Sequence, residues 1–354
     1  MQPQPVESRW GSQTEPTLAR PLLNHRLVPS FRRICPRILP LWLGLLLVAC
    51  QGPSTSGPPD ELLAIGLKAY DSEDLSTAST MFSAVRQKHP ESAQDEQASI
   101  MFAETKRRQR YGGSAFKAYK DFATRYPNSR YAVMAAEGEY HLGNAYYDKT
   151  LWGFLFFKPD PVVGAQVMEH MQVHYRNHSL AQEALMDTGE FFLKKKKWEG
   201  ARTYFKQLLA EYPRSRHVLR ARFQFSRAVW EMSEGSDYDE RLVLQSKRGF
   251  RDFKGAVRAA GKEVEMEKQI TSADQFLAKI DEQLAKKQYR IGRFYERTKA
   301  PTSALHYYRY CLTEYPDTKA AKKCAKRIRP VEAKIAERNQ PQEQPAVPAD
   351  KEAA

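Results

Sequence analysis

The chain has 354 residues, 42% of them hydrophobic and 28% charged, with a mean hydropathy of −0.65. This is ample for one large domain or two small ones, and 18 glycines with little period-two alternation argue against an all-β or α/β chain. The net charge of +14 falls to +10 once residues 1–49 are set aside. Its cations are interleaved with acids along amphipathic segments, which allows a weak attraction to anionic lipid headgroups or an acidic partner but matches no nucleic-acid module, so no nucleic acid is expected as a partner.

The first informative segment runs from Arg32 to Cys50. A basic flank precedes an apolar run from Ile38 to Val48, and Ala49 stands just before Cys50. This is the layout of a secretory signal, and the run is too short to cross a hydrocarbon core about 30 Å thick. Leu47-Val48-Ala49-Cys50 resembles the bacterial lipobox, which implies cleavage before Cys50 and acylation of its thiol. Several acyl chains hold a protein firmly at a membrane where a single one binds only marginally. Gln51 in place of aspartate fits delivery to the outer membrane, by analogy with known sorting. Residues 1–49 are thus read as a signal peptide with a long N-terminal extension, and 50–59, rich in Pro, Gly and Ser, as a lipidated flexible tether. Residues 1–30 are assigned no function.

Beyond the tether a phrase recurs at helix ends: Lys88-His89-Pro90-Glu91-Ser92, Arg125-Tyr126-Pro127-Asn128-Ser129, Glu211-Tyr212-Pro213-Arg214-Ser215 and Glu314-Tyr315-Pro316-Asp317-Thr318, with a degenerate copy at 174–179. The aromatic closes one apolar stripe, proline cannot continue that helix, and the nearby Ser, Asn, Asp or Thr caps the next. Counting back from each proline recovers the tetratricopeptide pattern, a helix-turn-helix unit of about 34 residues. Before Pro213 come Leu208, Phe205, Ala201, Phe192 and Gly189; before Pro316 come Cys311, Tyr308, Ala304, Tyr295 and Gly292. Val85, Phe82, Ala78 and Gly66 precede Pro90, and Phe122, Tyr119, Ala115 and Ala103 precede Pro127.

The expected fold is therefore all-α, a tetratricopeptide-like solenoid of helical hairpins over residues 60–337. Helix pairs are predicted near 60–89, 91–126, 130–175, 179–212, 215–259 and 271–315, then a capping helix near 317–337. Insertions are expected near 149–160 and 234–265, and the polar, Pro-rich tail 338–354 is expected to be disordered.

Several features invite a chemical reading. His170, His174 and His178 have the i, i+4, i+8 spacing of potential metal ligands, but His178 falls at a predicted helix end and no second ligand cluster accompanies them; surface histidines are the simpler reading, and no metal is expected. Cys311 and Cys324 lie on consecutive antiparallel helices, where a disulfide is feasible in an oxidising compartment and a pair of buried core thiols is the alternative. Lys194-Lys195-Lys196-Lys197 reads as a solvated turn, with a docking patch for an acidic partner as the second reading. The insertion carrying Trp152, Phe154, Phe156 and Phe157 is costly to leave in water, so it folds back on the helices or meets a partner or membrane. No phosphate-binding glycine loop, HExxH, GxSxG or paired-carboxylate site occurs, so no catalytic residue, cofactor or enzyme activity is expected.

With lipobox, tether and proline-punctuated helix pairs in place, the chain resembles the BamD family, outer-membrane lipoproteins of the β-barrel assembly machine. The closest stretch runs from Phe276 through Tyr289 and Arg293-Phe294-Tyr295-Glu296-Arg297 to Glu314-Tyr315-Pro316-Asp317-Thr318, and the Phe-rich insertion at 151–159 is similar to a family loop. The resemblance implies a scaffold on the periplasmic face of the outer membrane. It would dock on the barrel-inserting pore protein and other lipoproteins of the machine and accept unfolded barrel precursors. By position only Cys50 transfers securely; the extra pair at 215–259 and the longer basic C-terminus depart from the family pattern. The other readings carried forward are a periplasmic adaptor for peptidoglycan synthesis or envelope constriction, and a pilotin-like secretin chaperone.

Overall fold

Proline, the glycine–aromatic pairs and three-residue turns set where each helix begins and stops. The computed structural model describes residues 54–150, 160–233 and 239–339. The regular structure among them is thirteen helices and no strand. The pairs are α1 (Pro59–Asp71) with α2 (Leu75–Lys88), α3 (Asp95–Arg108) with α4 (Gly112–Arg125), and α5 (Ala132–Tyr147) with α6 (Pro161–His174). Then follow α7 (Ser179–Lys194) with α8 (Trp198–Glu211), α9 (Val218–Ser233) with α10 (Glu240–Ala259), α11 (Glu267–Arg297) with α12 (Pro301–Glu314), and the closing α13 (Lys319–Asn339). Each helix packs on helices one or two places along the chain. This nearest-neighbour stacking defines an all-α tetratricopeptide-like solenoid.

The repeat positions explain the close packing within pairs. A Cβ on Gly66 would lie 2.6 Å from the Phe82 ring, one on Gly189 2.5 Å from Phe205, and one on Gly292 2.5 Å from Tyr308. Each glycine precedes its ring by the same 16 residues, so one helix of the hairpin seats its aromatic directly on the backbone of the other. The second pair has Ala103 at that position, and its Tyr119 presses instead on Gly138 of the following pair. In the third pair Met168 packs on Gly143, while Tyr146 and Tyr147 lie against Gly164. Phe223, Phe250 and Phe253 of the fifth form one ring cluster with Phe276 of α11, Phe250 and Phe276 being stacked at 5.0 Å.

Four hairpins close with three-residue turns whose middle residue is left-handed: Glu73, Arg110, Lys196 and Lys299, at φ 64°, 64°, 57° and 59°. In three of them the next amide reaches back five residues, Tyr111 N to Lys106 O, Lys197 N to Phe192 O and Ala300 N to Tyr295 O. That is the Schellman closure normally given to glycine.

The proline phrases differ in detail from expectation. Thr318 does cap α13, its Oγ1 accepting from Ala321 N at 3.0 Å. Ser129 and Ser215 accept instead from Tyr131 N and His217 N, because an extra turn separates each from α5 and α9. Ser92 caps nothing, and His178 rather than Ser179 caps α7, its Nδ1 accepting from Leu180 N. The end of the expected tether is also fastened. Lys88 Nζ donates to Thr55 O and Oγ1 at 2.8 and 2.9 Å, and His89 Nε2 lies 3.0 Å from Gly57 O. No helix among the described residues is long and apolar enough to cross a membrane.

Candidate partner-binding surface

The residues singled out above fall into two groups. Cys50, the aromatic insertion Trp152, Phe154, Phe156 and Phe157, the signal segment and the tail from 340 onward lie outside the described residues. Cys311 on α12 and Cys324 on α13 are both fully buried free thiols in one core cluster, and Cys311 Sγ donates to Ala285 O at 3.6 Å. The Cys311 thiol, together with burial, pushes the Cys324 thiol well above its ordinary value.

The three histidines separate as the helix end predicts. His170 turns inward and its Nδ1 lies 2.9 Å from Glu139 Oε2, with Phe116 set edge-on to its ring. His174 stacks on His170 at 4.0 Å, and His178 is spent on the α7 cap. Among the described residues no group of three or more His, Cys, Asp or Glu is arranged to hold a metal ion. Glu139 is fully buried, and burial raises its carboxyl above the usual range against the opposing hydrogen bond from His170.

The tetralysine turn carries two cations over aromatic faces. Lys195 sits over Phe191 and Lys197 over Phe192, at 5.6 and 6.0 Å from the ring centres. Phe191 is in turn stacked on Tyr147 of the preceding pair at 4.2 Å.

A cleft of about 740 Å³ opens where α11 passes the α12–α13 turn. Asp281, Glu282, Glu314, Tyr315, Asp317 and Lys319 line it. Its walls are tied to their neighbours: Lys247 of α10 reaches Asp281 at 2.6 Å and lies over the Tyr315 ring at 4.9 Å. Burial pushes the Tyr315 phenol up to about 12. Glu282 accepts from Lys319 N and Ala320 N, so a carboxylate from α11 satisfies the first amides of α13 and complements that helix dipole.

Four turns further along α11, Glu296 gathers four partners. Tyr308 Oη donates to its Oε2 at 2.9 Å and Arg327 Nε at 3.2 Å, while Arg293 and Lys334 stand 3.4 and 3.8 Å away. Burial opposes the charge, but the Arg327 and Tyr308 hydrogen bonds and the surrounding cations outweigh it and hold the carboxyl below its ordinary value. This knot ties α11, α12 and α13 together and was not read from the sequence. Nor were the Tyr119–Glu104–Arg107 and Arg125–Asp95–Tyr126 networks, or the bridges between pairs from Tyr140 to Asp187 and from Tyr204 to Glu169. No local pattern in the sequence marks them.

Repeated hairpins, ring-on-glycine packing and a closing helix define a tetratricopeptide-like helical-hairpin solenoid. A tetratricopeptide-repeat family model matches residues 183–215, which span α7 and α8. The model of the YfiO family, described as outer membrane lipoprotein, matches residues 268–344, which contain the cleft and the Glu296 knot. No curated protein matches the chain. Among solved structures, MamA protein is 15% identical, over 59% of this chain and 94% of that one, with a TM-score of 0.35. A tetratricopeptide repeat protein from Parabacteroides merdae is 14% identical over 77% and 98%, with a TM-score of 0.32. PilW, a type IV pilus biogenesis factor, is 13% identical over 75% and 97%, with a TM-score of 0.27.

Proposed function

We propose that the chain is a lipid-anchored scaffold on the periplasmic face of the outer membrane, which helps assemble and insert β-barrel proteins by binding partner proteins and precursor peptides. The observation that carries this reading is the coincidence of three things over 268–344: the outer membrane lipoprotein match, the cleft, and the long α11 that the BamD-like stretch occupies. Stacked hairpins offer extended surfaces suited to peptides and to other folded chains, and the chain carries no motif of catalytic chemistry. Acylation of Cys50 supplies the anchor, and the fastening of Thr55 and Gly57 to the end of α2 leaves little free chain between anchor and first hairpin. Trp152, Phe154, Phe156 and Phe157 serve as a partner-contact loop, and Cys311 with Cys324 forms a bridge when the chain folds in an oxidising compartment.

Cross-linked co-purification of the intact lipidated protein from membranes tests the reading. Recovery of the barrel-inserting pore protein with other lipoproteins of its machine is the expected result. Recovery of only wall synthases, or of only a secretin, replaces the proposal with the adaptor or pilotin reading.

A further inference from the structure

The last helix carries a surface that the core does not use and that meets the cleft only at Lys319. Along α13, Ala320, Ala321, Cys324 and Val331 are buried, and Ile328 and Ile335 pack against the same cluster. The apolar side of the helix is therefore fully engaged with the protein. On the outer side Lys319, Lys322, Lys323, Lys326 and Arg329 are all exposed. At 100° per residue these five positions fall within an arc of roughly 120°, and at 1.5 Å per residue they extend over about 15 Å.

The cations of α13 outside this stripe are differently placed. Arg327 and Lys334 turn to Glu296, and Arg338 donates to Lys299 O, while Glu332 of the same helix is taken by Arg309. Among the described residues no ion pair involves the side chains of the five. Acids close to the helix ends are also occupied or offset, and Asp281 of the cleft is taken by Lys247. Glu282 is bound to the first amides of α13, Asp317 precedes the helix, and Glu337 lies two turns beyond Arg329.

We infer that this stripe is a peripheral contact for an anionic bilayer surface, in which Lys319, Lys322, Lys323, Lys326 and Arg329 rest among acidic lipid headgroups. The composition selects lipid over an acidic protein. Four of the five are lysines, strongly hydrated point charges without the planar fork that pairs bidentately with carboxylates. Protein interfaces are depleted in lysine at their centre and rely on aromatic, arginine or aliphatic anchors. This face offers none of these beyond Arg329; the exposed uncharged residues beside the cations are Ala325, Pro330 and Ala333. A cluster of four to eight cations facing a surface of diffuse negative charge is the arrangement that anionic leaflets attract. With its apolar side buried, α13 stays on the headgroups and does not insert.

The inference extends the lipid-anchored reading without needing the acyl chain, so the test removes it. The full chain carrying Cys50→Ser is sedimented with vesicles of phosphatidylethanolamine and phosphatidylglycerol, and with neutral phosphatidylcholine vesicles. Binding to the anionic vesicles only, weakening as salt is raised, is the expected result. One basic residue near such a surface is worth about fivefold in affinity, so the variant Lys322→Gln/Lys323→Gln/Lys326→Gln should bind about a hundredfold more weakly. Its unchanged circular dichroism and melting temperature would show that the fold is intact. The comparison variant Lys194→Gln/Lys195→Gln/Lys196→Gln, in the α7–α8 turn, should bind much as the parent does. Equal binding to neutral vesicles, no binding at all, or equal losses in the two triple variants would each overturn the assignment. Failure of Cys50 to be acylated in cells would remove the anchor while leaving the vesicle result standing.

Discussion

Glu296 shows how a single side chain can organise three helices. Its side chain is only 7% exposed, and four groups from α11, α12 and α13 converge on it. Replacing it with Gln leaves Arg327 and Arg293 facing a neutral partner and should lower stability by about 2 kcal/mol near neutral pH, measured by chemical denaturation. Because its folded carboxyl sits below the ordinary value of 4.5, the stabilisation is fully present above that value and is lost as the pH falls through the lower folded value. The gap between parent and Glu296→Gln should therefore close on acidification; a gap that persists in acid would assign the effect to shape rather than charge. The cysteine pair yields a second test at this scale. Protein recovered from an oxidising compartment and unfolded without reductant should resist alkylation at Cys311 and Cys324, and its peptides should be linked until reduced. Alkylation of both thiols would make the pair a reduced part of the core.

At the scale of the element, ring-on-glycine packing and the left-handed turns make opposite predictions for glycine. In α7, Gly189 has no room for a methyl group against Phe205, so Gly189→Ala should cost about 2 kcal/mol despite alanine's higher helix propensity. In the following turn Lys196 holds a conformation that disfavours any side chain. Lys196→Gly should stabilise by up to about 1 kcal/mol, the relieved strain exceeding glycine's greater unfolded-state entropy. Paired melting curves check both signs. The glycine periodicity was legible in the sequence because it recurs at the same distance from three of the four prolines, with Ala103 in its place before Pro127. The left-handed turns were not, because their residues are Glu, Arg and Lys, and only the closure of the chain forces those φ values.

For the whole molecule, packing limited to helices one or two places apart implies that damage stays local. In Gly189→Ala, amide hydrogen exchange should quicken in α7, α8 and the helices beside them, while α1 to α4 keep the parent's protection. Equal loss of protection in α1 to α4 would mean that the stack unfolds as one cooperative block. The same linearity explains why the helix pairs are legible along the chain: each repeat carries its own start, crossing and stop. What joins one repeat to the next was harder to read. The Tyr140–Asp187 and Tyr204–Glu169 bridges link residues 47 and 35 apart, and no local pattern marks a tyrosine that will find a carboxylate in another hairpin.

By itself the sequence determined the all-α class, the repeating hairpins and the small-residue crossings, because helix periodicity, proline and glycine act over a few residues and leave local marks. Tertiary structure decided which carboxylates bridge one pair to the next, where the C-terminal cleft opens, and that the cations of α13 divide between the Glu296 knot and an outward stripe. Those outcomes depend on which side of a helix its neighbours cover, and that is settled only when the hairpins stack.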